Sequence, residues 1–157
     1  MTSSFESALG TIYITTSDEA VRAISFNPKQ SFDSPLTRVH RAFRRQIKEY
    51  FEGKRKVFDL GLDLEGTPFQ KEVWKITSRI PFGETRTYRD IAKQLGDVKK
   101  SRAVGHALGL NPILIVVPCH RVIGEDGKLH GYAGGKRRKQ WLLNREYEIL
   151  SGQTSLF

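Results

Sequence analysis

Residues 87–109 read TYRDIAKQLGDVKKSRAVGHALG, and this stretch decides the architecture of the second half of the chain. Thr87 is a side-chain cap of the kind that opens helices, and Gly96 closes the helix it opens at about Leu95. Ser101 is expected to cap a second helix running to about Leu108. Two short helices joined by a few residues after a glycine have helix-turn-helix proportions. Ala92 is small where such helices would cross, and Lys99, Lys100 and Arg102 surround the start of the second one. The unpaired N–H groups there suit phosphate. Ala103, Gly105, Ala107 and Gly109 are expected to form a face small enough to approach a nucleic-acid groove. An ordinary pair of core helices has the same outline, so the pair alone tips the balance only somewhat toward DNA.

Downstream, the apolar run Ile113 to Val117 predicts a buried strand, stopped by Pro118. Cys119 would then sit at the end of a core strand, a rigid place to mount a reactive group. A thiol is a poor nucleophile at its reference pKa of about 8.5, and a neighbouring base or cation raises the thiolate fraction. His120 and Arg121 follow at once. In an extended strand Cys119 and His120 would point to opposite faces, so cooperation requires a bent segment or a bridging water. The chain has one cysteine, which excludes an internal disulfide and a Cys-rich zinc site. On these residues alone an inert core cysteine is the commoner outcome, and no partner orienting His120 can be named. Asp126-Gly127 marks a turn, residues 131–135 (GYAGG) a flexible loop and residues 136–148 a basic helix; the tail from Ser151 has no periodicity.

Upstream, Thr67-Pro68 is a cap followed by a first-turn proline, with Phe69, Val73, Trp74 and Ile76 as the buried face of the helix they open. Residues 11–16 and 21–26 predict a hairpin. Leu36, Val39, Phe43, Ile47 and Tyr50 give one apolar face of a helix whose remainder is basic. Phe58, Leu60, Leu62 and Leu64 alternate with polar or small residues and predict a half-buried strand. The expected fold class is α+β. A small N-terminal domain of sheet plus helix, residues 1–64, precedes a mainly helical domain, residues 65–157, that carries the helix-turn-helix and Cys119, with Glu65-Gly66 as the linker.

Charge is lopsided. Residues 1–66 carry 10 Lys+Arg against 9 Asp+Glu, whereas residues 67–157 carry 16 against 8. Such a field favours a polyanion, nucleic acid or an anionic membrane surface. No apolar run approaches the roughly 20 residues needed to cross a bilayer, and the N-terminus lacks a secretory pattern. A soluble cytoplasmic protein without membrane attachment is expected.

Pro118-Cys119-His120-Arg121-Val122-Ile123-Gly124 resembles the PCHRV signature of the O-6-alkylguanine-DNA alkyltransferases, the methylated-DNA–protein-cysteine methyltransferases. Arg102-Ala103-Val104-Gly105, Asn111-Pro112, Pro81-Phe82-Gly83, Thr87-Tyr88, Gly131-Tyr132 and Trp141-Leu142-Leu143 are similar to the family's other segments, in the same order. The likeness is dense over about residues 67–147 and loose before them.

The resemblance implies a role for each matching residue. Cys119 would be the alkyl acceptor, His120 a base acting through water, Glu146 its orienting partner and Asn111 a support of the active-site turn. Arg102 would fill the gap left by a flipped nucleotide, and Tyr88 would press on the neighbouring phosphate. Ser101, Ala103 and Gly105 would face DNA. Tyr132, Ala133, Gly134 and Pro118 would recognise the base, with Lys139 steadying Tyr132 or the departing guanine. The implied function is DNA repair by single-turnover transfer of a methyl or larger alkyl group from guanine O-6 to Cys119, with thymine O-4 as a second lesion. No cofactor and no metal are implied. The partner is double-stranded DNA containing alkylated guanine; the protein is expected to be a monomer, with clustering on DNA left open. His106 stands where the family often has a small or amide residue, and a solvated side chain is expected there. Ala133 lacks the hydroxyl that some members offer to the base. A DNA-binding module without chemistry and a Cys-His hydrolase are the rival classes; Cys119 within the full motif disfavours the first, and the helix-turn-helix the second.

Overall fold

The computed structural model describes residues 1–28 and 36–152. It divides into two compact units, one ending at Glu65 and the other beginning at Gly66, and mixes a small sheet with helices, as expected of the α+β class.

The first unit is built on a three-stranded antiparallel sheet in the order β1 (Thr2–Ser7), β2 (Gly10–Thr16), β3 (Val21–Ser25). The hairpin of β2 and β3 was legible; β1, with its short serine-rich sequence, was not. Helix α1 (Arg38–Phe51) begins at Thr37, whose hydroxyl accepts from the His40 N–H. The His40 ring, instead of the usual glutamate, accepts from the Thr37 N–H at 3.2 Å. Burial lowers the pKa of His40, which favours that neutral acceptor. Phe43, Ile47 and Tyr50 are buried along the inner face of α1. The strand expected over residues 58–64 does not form. The segment is half-buried on alternate residues, as its pattern predicts, yet only Leu62 pairs, in one parallel bridge to Val21. Alternation reports which side faces the core; it carries no information about whether a partner edge is available.

The second unit is mainly helical. Helix α2 (Pro68–Thr77) opens at Thr67 with a capping box to Gln70, and its Trp74 donates to the Ala107 carbonyl at 2.9 Å. Strand β4 (Arg86–Thr87) pairs in parallel with β5 (Val122–Ile123). Thr87 both ends β4 and caps α3 (Tyr88–Gln94), so the start of α3 is tied to the segment that follows Cys119. Helix α4 (Ser101–Gly109) crosses α3 where Ala92 and Val104 are fully buried. Ser101 is not the cap of α4. A short 3-10 turn (Val98–Lys100), capped by Asp97, runs directly into the helix, and the Ser101 hydroxyl donates backward to Val98 O at 2.7 Å. Helix α5 (Lys136–Ser151) is longer than the predicted 136–148 and ends at Gly152 in a left-handed conformation; the rest of the tail, residues 153–157, lies outside the described residues.

The buried strand expected at Ile113–Val117 is also absent. The segment is a compact turn, with Val117 N–H donating to Ile113 O and Val116 N–H to Leu114 O. Ile115 adopts φ 71°, an uncommon conformation for a β-branched residue that persists only where surrounding contacts impose it. Those contacts come from Asn111. Its carbonyl accepts from the Ile113 N–H at 3.0 Å and its amide donates to Val117 O at 2.9 Å. An apolar run five residues long looks the same whether it is a buried strand or a buried turn.

Candidate active site

Because the turn replaces the strand, Pro118 leads into a single 3-10 turn, Cys119–Arg121. The bend removes the difficulty of opposite faces, and Cys119 and His120 are both buried. Asn111 Nδ2 donates to Cys119 Sγ at 3.0 Å, so one amide fixes the turn and touches the sulfur. Burial pushes the Cys119 thiol up to about 11, against the pull of Asn111 and Lys139. The resting residue is therefore a thiol, and chemistry requires a base.

His120, the next residue, carries a buried imidazole suited to that task. Its Nε2 lies 2.7 Å from Glu146 Oε2, while its Nδ1 is buried without a hydrogen-bond partner. Glu146, on α5, is held from three further directions: Arg121 Nε at 2.8 Å, Arg121 Nη2 at 3.1 Å and the Gly83 N–H at 2.9 Å. Burial alone would raise the Glu146 pKa, but His120 and Arg121 bring it well below the usual carboxylate range. Since Arg121 balances the carboxylate charge, the imidazole need not, and burial lowers its pKa. Neutral His120 then donates Nε2–H to Glu146 and leaves the Nδ1 lone pair as the acceptor.

Arg121 and Gly83 were not assigned roles from the sequence. Arg121 also donates to Ile80 O at 2.7 Å, linking the PCHRV and P-F-G segments through one guanidinium. Gly83 has φ 80°, and a Cβ there would stand 2.0 Å from Leu150 Cδ1. Leu150 is half-exposed and can swing aside, so it is the positive φ that favours glycine at the point where the backbone N–H holds Glu146.

A cavity of about 680 Å³ lies over the exposed face of α4, lined among others by Tyr88, Arg102, His106, Tyr132 and Ala133. Ser101 and Gly105 line it too. The expected face of Ala103, Gly105, Ala107 and Gly109 needs correction, because alternate residues do not share a helix face. Arg102, Ala103, His106 and Gly109 are exposed, whereas Ala107 is buried against α2. Tyr132 is buried, and its hydroxyl has no hydrogen-bond partner among the described residues. Pro118 and Gly134 are buried and do not line the cavity. Lys139 is almost fully buried, and Tyr132 is not among its hydrogen-bond partners. Its Nζ donates to Val122 O at 2.5 Å, His130 O at 3.2 Å and Tyr88 Oη at 3.4 Å. Desolvation lowers its pKa to about 8. Among the described residues no group of three or more His, Cys, Asp or Glu is placed to hold a metal ion, and no helix is long and apolar enough to cross a membrane.

The family model of the 6-O-methylguanine DNA methyltransferase DNA-binding domain matches residues 68–148, and that of the ribonuclease-like domain of the same family matches residues 1–64. The chain belongs to this family. The methylated-DNA–protein-cysteine methyltransferase of Methanosarcina acetivorans is 47% identical over 148 residues, 90% of this chain and 95% of that one. Its counterpart in Mycobacterium tuberculosis is 53% identical over 112 residues, 71% and 68% of the two chains. The crystal structure of M. tuberculosis OGT in complex with DNA matches with a TM-score of 0.85 at 41% identity, over 93% of this chain and 92% of that one.

Proposed function

We propose that the protein repairs DNA by direct reversal, transferring a methyl or larger alkyl group from guanine O-6 to Cys119 once per molecule. The observation that carries this reading is the chain of contacts Asn111–Cys119, then His120–Glu146–Arg121, behind Tyr88 and Tyr132, which line the cavity on the exposed face of α4 and are near enough to interact electrostatically with Cys119. The thiol proton passes through a water to His120 Nδ1, and the resulting imidazolium is stabilised by Glu146. Thiolate sulfur attacks the alkyl carbon in line, the S–C bond forms and the C–O bond breaks. Guanine O-6 keeps the electron pair, and the proton held on the His120 imidazolium passes to the guanine anion, leaving neutral guanine and neutral imidazole. The thioether product is stable, and the chain has no second cysteine to cleave it.

The reacting carbon is inaccessible in a stacked duplex, so the nucleotide must first be flipped, at a cost of a few kcal/mol. Arg102 on the exposed face of α4 fills the gap, and Tyr88 presses on the adjoining phosphate. Tyr132 and Ala133 hold the base. Lys139 acts through Tyr88, which it touches, and not through Tyr132.

The test is intact mass after mixing with duplex containing O-6-methylguanine. The protein should gain one methyl group per molecule, and Cys119→Ser should gain none while still binding duplex. Catalytic turnover, or methylation of the serine variant at the wild-type rate, would sink the proposal.

A further inference from the structure

The first unit looks neutral by composition, but its charges are segregated. Helix α1, RVHRAFRRQIKEYF, holds five basic residues and one acidic one. Arg38, Arg41, Arg45 and Lys48 are all exposed and recur at spacings of 3, 4 and 3, which places them in one stripe. At 1.5 Å per residue that stripe is about 15 Å long, with a cation every ~5 Å. The inner face of the helix is locked by Phe43, Ile47 and Tyr50, so the stripe is presented on a fixed surface. The one acid of the helix, Glu49, is engaged by Arg55 at 2.7 Å and lies 3.9 Å from Arg45. Arg38, Arg41 and Lys48 make no ion pair among the described residues.

This arrangement works against the helix itself. Cations three and four residues apart repel. Arg38 and Arg41 also sit at the positive end of the helix dipole, where the first turn has no acidic residue. A row of like charges that costs helix stability is compensated when a polyanion lies along it.

We propose that this outer stripe of α1 is a second binding surface for the phosphodiester backbone of duplex DNA, separate from α4. A strand of duplex presents negative charge at a comparable spacing, and arginine suits phosphate through its planar fork of donors. The inference takes duplex DNA as the protein's partner. It does not depend on methyl transfer, because its test uses undamaged DNA.

In the full chain, Arg41→Gln/Lys48→Gln removes two stripe charges, and Lys54→Gln/Lys56→Gln removes two from the same unit outside α1. Affinity for a long undamaged duplex is titrated at several salt concentrations. The slope of log affinity against log salt should become shallower by about 2 in the stripe variant, since each lost phosphate contact removes about 0.9, and should not change in the control. Lys48→Glu, a single exposed change, should weaken binding as well. Matching circular dichroism and unfolding curves establish that each variant is folded. Equal slopes for stripe and control variants would overturn the proposal. So would self-association of the wild type without DNA that the stripe variant abolishes, because the stripe would then be a contact between copies.

Discussion

Glu146 carries more of the site than any other single residue, because it sets the tautomer of His120 and neutralises Arg121 in one carboxylate. Glu146→Gln keeps the shape but can no longer stabilise an imidazolium, so the single-turnover rate should fall about 10²-fold or more. Arg121→Leu tests the charge argument differently. Without the guanidinium, the buried carboxylate draws its compensating charge from His120, and the imidazole pKa rises. The base is then protonated at neutral pH, and the rate should recover only as pH is raised. Breaking the buried pair should also cost about 3–5 kcal/mol. An Arg121→Leu pH–rate profile that overlays the wild type would show that Arg121 does not keep His120 neutral. Ala133 leaves the cavity open: it is exposed, lines the cavity and carries only a methyl. A benzyl ring on guanine O-6 would add a few kcal/mol of burial at most. The wild type should react with free benzylguanine, and Ala133→Trp should lose that reaction while still accepting methyl from DNA. A wild type inert to benzylguanine would show that the cavity does not admit the ring.

At the scale of elements, the proposed mechanism gives α4 a part in binding and none in the chemical step. Arg102→Ala should slow repair of duplex far more than reaction with a free alkylguanine base, since only the duplex requires flipping. Equal losses on both substrates would place Arg102 in the pocket or the fold. Gly83 belongs to the turn that meets α5: Gly83→Ala strains the positive φ and displaces the N–H that holds Glu146, while Leu150 swings aside. Both the melting temperature and the methyl-transfer rate should drop, whereas Gly127→Ala, also at positive φ but with open space around it, should lower only stability. A Gly83 variant with wild-type rate would remove that N–H from the machinery. The same two elements show what the sequence could reveal. Thr87, Gly96 and Thr67 act locally, through a cap or a left-handed turn, and each marked its helix boundary correctly. Capping by Ser101 was misplaced because the 3-10 turn before it already supplies a helical approach. The Ile113–Val117 run reads as a strand because what bends it is the Asn111 side chain, bonded to backbone groups two and six residues further on. Arg121 escaped notice because its partners lie 25 and 41 residues away, and nothing in a linear pattern encodes such pairs.

At the scale of the molecule, chemistry and stability meet at one sulfur. Cys119 is 4% exposed, with Asn111 Nδ2 3.0 Å from its Sγ. Transfer adds at least one carbon to that sulfur and removes the thiol proton. The surrounding turn is held by the same Asn111 bonds, and Ile115 is already at φ 71°, so the site has little freedom to relax. Overpacking a filled core costs typically about 1–3 kcal/mol, and for a chain of this size each kcal/mol is worth roughly 2–4 °C in melting temperature. Methylated protein should therefore melt several degrees below the unmodified form, and benzylated protein should melt lower still. Amide exchange should quicken over residues 111–124, where the turn and the 3-10 segment lie. The measurement is thermal unfolding of protein alkylated by free base, with no DNA present to stabilise either form. Unchanged or raised melting after stoichiometric alkylation would mean that the sulfur turns outward into the cavity before or during transfer, and that the buried Cys119 is only the resting state.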